Sequence, residues 1–157
     1  MREHTVTAFD AELDIVRATV VEMGRLVEVA FDRAIEALWK ADRAAAEAVV
    51  AADAKIDALA LAVDEEAVAI TVRRQPVAID FRDIFTAYRI SIEFERVGDL
   101  AKGIARRVLS LDPATLSTAD LSLLVRLAER VSTALREAIE AYRRSDTDRA
   151  EAVRSHD

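Results

Sequence analysis

Two pairs of carboxylates stand at a spacing that supports metal chemistry. They lie in Asp53-Ala54-Lys55-Ile56-Asp57 and Glu95-Arg96-Val97-Gly98-Asp99. In a helix, i,i+4 spacing puts both acids of a pair on one face, one turn apart. If the two segments form an antiparallel hairpin turning at Pro76, residues equidistant from the proline lie level. Asp57 and Glu95 are each 19 positions from Pro76, and Asp53 and Asp99 each 23. Four carboxylates meeting as two rungs at a partly apolar surface raise one another's pKa unless a cation neutralises them. All-oxygen ligands suit hard cations, and carboxylate bundles also hold iron or manganese. Asp53, Asp57, Glu95 and Asp99 are therefore candidate ligands for a divalent or ferric ion: iron, zinc, manganese or magnesium. The competing reading is a solvated face, with Lys55, Arg96 and Lys102 neutralising the acids in weak surface pairs.

Other chemistries are narrowed by what the chain lacks. Cysteine is absent, so there is no disulfide, thiolate site or cysteine nucleophile. The two histidines, His4 and His156, sit at opposite ends, which speaks against a histidine zinc site or a Ser-His-Asp triad. A ferritin-like di-iron site pairs its carboxylates with Glu-x-x-His, and no such motif occurs. No catalytic residue is assigned, and a non-enzymatic role is expected. Tyr88 and Trp39 read as core aromatics, Met23-Gly24 as a close-packing spot, and Arg73-Arg74 as a helix C-terminal cap.

The elements that must position these acids are helices. The 157 residues include 31 alanines but only three glycines and two prolines. Aromatic residues make up 5% of the chain, too few for a β-rich fold. The net charge is −7 and no basic tract stands out, which argues against nucleic acid. No run of about 18 apolar residues is present to span a membrane, and Met1-Arg2-Glu3-His4 does not open a signal peptide. The composition suits a soluble protein of a reducing compartment.

Pro76 and Pro113 each end a helix, because proline lacks an N–H and restricts the residue before it. Asp42 and Asp146 read as N-caps, Ser117-Thr118-Ala119-Asp120 as a capping box, and Asp80 as the cap of a third helix. Five helices follow: Phe9 to Lys40, Arg43 to Arg74, Phe81 to Leu109, Thr118 to Arg144, and one opening at Thr147. The fold class is all-α, an up-down three-helix bundle over residues 1–112 followed by the start of a second unit over 113–157. Shifted by 104 positions, residues 27–53 fall on 131–157 with 12 identities, including Asp42 on Asp146. A complete second unit would end at about residue 214, so the chain reads as a two-unit protein lacking most of its last two helices. The apolar stripe Leu121, Leu124, Val125, Leu127, Val131, Leu135 and Ile139 then needs cover from the first bundle or another subunit.

A set of motifs in order resembles the PhoU family of bacterial phosphate signalling. These are Met23-Gly24, Asp53-x-x-Ile56-Asp57, Arg74-Gln75-Pro76-Val77-Ala78, Asp80-Phe81-Arg82, and Glu95-Arg96-Val97-Gly98-Asp99-Leu100-Ala101-Lys102. The resemblance covers about residues 9–110 and, more weakly, 117–157. It implies two three-helix repeats and a cytoplasmic protein that associates with a phosphate ABC transporter, including its ATPase, and with a sensor histidine kinase. It implies repression of the phosphate-starvation response when phosphate is plentiful, and a metal site at Asp53, Asp57, Glu95 and Asp99. A homo-oligomer is expected. The chain departs from the family at Gly103, where Asn is frequent, and at Ala60, where an acid is frequent. Of a second metal site it retains at most Asp157. The alternative is a stand-alone metal-binding or helical interaction module with no phosphate role.

Overall fold

The computed structural model describes residues 2–77, 79–112 and 117–155. Ala78, Pro113, His156 and Asp157, which entered the sequence expectations, lie outside the described residues. The described residues are all-α and form five helices: α1 (Arg2–Lys40), α2 (Arg43–Arg74), α3 (Ile79–Ser110), α4 (Thr118–Arg144) and α5 (Thr147–Ser155). Among the described residues, helices α1, α2 and α3 pack on one another, α4 packs on α1, and α5 packs on α4.

The bundle follows from a 3-4 spacing of small and apolar residues. On α1 the buried positions include Leu13, Val16, Val20, Met23, Val27, Ala30, Ala34 and Ala37. On α2 they are Ala46, Val49, Asp53, Ile56, Val63, Ala67 and Ile70, and on α3 Ile84, Ala87, Ser91, Phe94, Gly98, Ala101, Ala105 and Val108. Alternating steps of three and four keep one stripe turned toward a neighbour along a long helix, the pattern of coiled-coil packing. Besides the hydroxyl of Ser91, which bonds the Tyr88 carbonyl of its own helix, the stripes carry the acid Asp53 and the bare Gly98. Asp53 and Gly98 belong to the site described below.

Local signals set most helix ends. The Asp42 side chain accepts from Ala45 N–H at 3.0 Å, and Ser117 accepts from Asp120 N–H at 3.1 Å. Pro76 follows Gln75, which closes α2 in the left-handed region at φ 46° and donates its N–H to the Thr71 carbonyl. Two departures stand out. α1 begins at Arg2 rather than Phe9, and α3 begins at Ile79, where Asp80 donates its N–H to the Val77 carbonyl. Asp80 is thus in the first turn of α3, favourable to the helix dipole, and is not its cap.

The turn between α1 and α2 recurs between α4 and α5. Ala41 and Ser145 have φ of 52° and 51°. Asp42 N–H bonds the Ala37 carbonyl and Asp146 N–H the Ala141 carbonyl, each at 2.9 Å. Asp146 then accepts from Arg149 N–H at 2.9 Å, as Asp42 does from Ala45.

Helix α4 docks on α1 through one edge of its apolar face. Ala128, Ser132, Ile139 and Ala141 are buried, while Leu124, Leu127 and Val131 stay exposed. Trp39 is also exposed, at 46%, and lines a groove of about 480 Å³ between α1 and α4 rather than the core. Arg73 and Arg74 do more than cap α2. Arg74 grips Glu12 with two hydrogen bonds of 3.0 and 3.1 Å, and Arg73 pairs with Glu66 at 3.0 Å, tying the end of α2 to α1 and to itself. The Arg74 hydrogen bonds hold the Glu12 carboxyl below the ordinary carboxylate range, against a smaller desolvation effect.

Candidate functional site

The four candidate acids lie on α2 and α3, but they do not share one environment. Asp53 occupies a core position of α2 and is 4% exposed. Gly98, facing it from α3, explains how an acid fits there. A Cβ added to Gly98 would stand 3.2 Å from Ile56 Cδ1 and 3.7 Å from Asp53 Oδ1. The missing side chain lets Ile56 of α2 come close to α3, and Asp53 Oδ1, one turn back on α2, faces the same point of α3. Glycine costs about 1 kcal/mol relative to alanine in a helix interior, and this approach gives that cost a structural reason.

The other Asp53 oxygen is engaged by Lys102. The ammonium donates to Asp53 Oδ2 in a very short contact and to Asp99 Oδ1 at 3.3 Å. Lys102 has 20% of its side chain exposed, against 5% for Asp53 and 57% for Asp99. The hydrogen bond to Asp53 is the main cause raising the Lys102 pKa; partial desolvation opposes it and the Asp99 hydrogen bond adds to it. The upper rung, Asp53 and Asp99, is therefore joined through a lysine.

The lower rung differs. Asp57 is exposed and Glu95 half-buried, and neither forms an ion pair with a described residue. Lys55, next to the acids in sequence, reaches away to Glu22 of α1 at 3.0 Å, and Arg96 pairs with Glu93 at 3.2 Å. Among the described residues no group of three or more acids and histidines is arranged to hold a metal ion. As arranged, the donor set does not fit a metal. The acid best placed by burial, Asp53, has its Oδ2 on the Lys102 ammonium.

The role of Lys102 was readable only in part. Its charge beside the acids is evident in the sequence, where it enters only the competing reading, as one of three surface partners. The 3-4 spacing of α2 carries the missing signal, since it puts Asp53 in the core, where an unpaired carboxylate is too costly to bury.

The PhoU domain family matches residues 20–108. The chain is 36% identical over all 157 residues to the phosphate-specific transport system accessory protein PhoU homolog of Caulobacter vibrioides, covering 68% of that protein. It is 38% identical to the homolog of Zymomonas mobilis over 154 residues, 98% of this chain and 65% of that one. The crystal structure of PhoU from Pseudomonas aeruginosa superposes with a TM-score of 0.87 at 36% identity, over 92% of this chain and 69% of that chain. The regulatory protein PhoU from Streptococcus pneumoniae shares the fold with a TM-score of 0.84 at 23% identity, over 92% of this chain and 68% of that chain.

Proposed function

We propose that this chain, which belongs to the PhoU family, is a non-enzymatic regulator of phosphate uptake and phosphate-starvation signalling. It works through contacts with the ATPase of a phosphate ABC transporter and with a sensor histidine kinase, in the cytoplasm and as a homo-oligomer. The observation that carries this reading is the identity of 36%, over all 157 residues of this chain, with a relative named as an accessory protein of phosphate-specific transport. Among the described residues no helix is long and apolar enough to cross a membrane, so contact with a transporter would be made at its protein surface.

A metal ion at Asp53, Asp57, Glu95 and Asp99 belongs to this reading only as a state in which Lys102 has left Asp53.

The test is deletion of the gene in its host, with phosphate uptake and a phosphate-starvation reporter measured in phosphate-rich medium. Derepression that is reversed by the wild-type chain is the expected result. An unchanged reporter, together with failure of the purified chain to retain the transporter ATPase or the kinase, would overturn the reading in favour of a stand-alone helical module.

A further inference from the structure

We infer that Lys102 is a tethered counter-ion that holds the Asp53–Asp99 rung closed to metal ions. The inference is independent of the phosphate reading and rests on the geometry of one rung. A buried carboxylate needs a cation or hydrogen-bond donors. Here α3 supplies the cation, from Lys102. Asp53 Oδ1 faces Gly98, where an added Cβ would stand 3.7 Å away, and Oδ2 accepts from the Lys102 ammonium. The same ammonium reaches Asp99 Oδ1 at 3.3 Å, so one positive charge spans both acids of the rung.

The chain has three lysines, and the other two behave differently. Lys40 and Lys55 each pair with a single glutamate, with 60% of the side chain exposed in both. Only Lys102 is inserted between helices and shared by two carboxylates.

A metal ion binds through ionised oxygens with open lone pairs. At this rung it would compete with the ammonium for the same oxygen of Asp53, and two cations held side by side on one carboxylate repel. Ion binding at Asp53 therefore requires Lys102 to withdraw. Removing the ammonium while keeping the apolar stem leaves Asp53 and Asp99 without their cation and opens the rung to one from solution.

The test is calorimetric titration of the metal-stripped 157-residue chain with Mn²⁺, comparing wild type, Lys102→Met and the double variant Asp53→Asn/Lys102→Met. Lys102→Met is expected to bind Mn²⁺ about tenfold tighter or more than wild type, and the double variant to lose that gain. Equal binding by wild type and Lys102→Met would overturn the inference, as would a gain that survives Asp53→Asn. Should Lys102→Met fail to fold, the decision passes to the wild-type chain. In ¹⁵N NMR of its three lysine ammonium groups, that of Lys102 should exchange its protons more slowly than those of Lys40 and Lys55. Exchange as fast as the other two would overturn the inference equally.

Discussion

Gly24 of α1 lies directly beneath Ile139 of α4. A Cβ placed on Gly24 would stand 2.9 Å from Ile139 Cγ1 and 2.9 Å from the Phe94 ring of α3. One bare backbone position therefore sets how closely three helices meet, in keeping with the close packing expected at Met23-Gly24. Gly24→Ala gains about 1 kcal/mol of helix propensity, but it also forces a buried ring and a buried isoleucine apart, an overpacking cost of about 1–3 kcal/mol. The expected outcome is a net loss of about 1 kcal/mol in urea unfolding. Amide exchange should rise more along α4 than along α2. A variant more stable than wild type would mean that α4 slides outward freely.

Tyr142 buries its hydroxyl on α4 with no hydrogen-bond partner among the described residues. Removing an unsatisfied buried hydroxyl while keeping the ring should stabilise, so Tyr142→Phe is expected to add about 1 kcal/mol. Burial is also the main cause pushing the Tyr142 pKa up to about 12, with Arg17 opposing it. Because the folded pKa lies above the unfolded one, the contribution is complete below about pH 10 and is lost as pH rises toward the folded value. Thermal melts at alkaline pH should fall less steeply for Tyr142→Phe than for wild type.

Glu140 sits between Arg143 and Arg144 on α4, bonded to Arg143 at 2.6 and 2.7 Å and to Arg144 in a shorter contact. The Arg143 hydrogen bonds are the main cause lowering its pKa to about 2, with desolvation opposing and Arg144 assisting. A depressed folded pKa means stability that is present above the unfolded value and lost as pH falls through the folded one. Between about pH 4.5 and pH 2 wild type should therefore lose stability that Glu140→Gln does not. Acid titration of the two proteins followed by circular dichroism checks this; parallel curves would show that the pairs contribute nothing measurable.

Ala41 holds φ at 52°, in the left-handed region that an L-residue with a Cβ adopts at a cost of about 1–2 kcal/mol. Glycine relieves that cost but gives back part of it through a freer unfolded chain. Ala41→Gly is thus expected to raise the urea midpoint by an amount equivalent to about 0.5 kcal/mol. Ser145→Gly should do the same at the matching turn, where φ is 51°. A lower midpoint for both would place the strain elsewhere.

The helices themselves were legible in the sequence because their signals act on near neighbours. Asp42 and Ser117 cap within three residues, and Pro76 ends α2 by geometry that any chain must obey. The turn and acid motifs around Pro76 identify the family for a similar reason, since they are read in order along the chain. The position of Asp53 in the core was also available, by continuing the three-and-four spacing from Ala46 and Val49 to Ile56. Counting from Pro76 sets which residues stand level, and Asp53 and Asp99 do share a rung. It does not set which way each turns about its helix axis. That rotation is decided by packing: Ile56 and Gly98 go inward, and Asp57 and Asp99 next to them are left exposed. The same holds for α4, whose leucines form a broader stripe than α1 covers. The close approach at Gly24 selects the Ile139 edge and leaves Leu124 and Leu127 outside. Lys102 is the sharpest case. On a helix surface a lysine is best hydrated, and nothing local distinguishes it from Lys55. Only the meeting of α2 and α3 at Gly98 creates a desolvated carboxylate within its reach, and a buried charge is stable only beside its opposite.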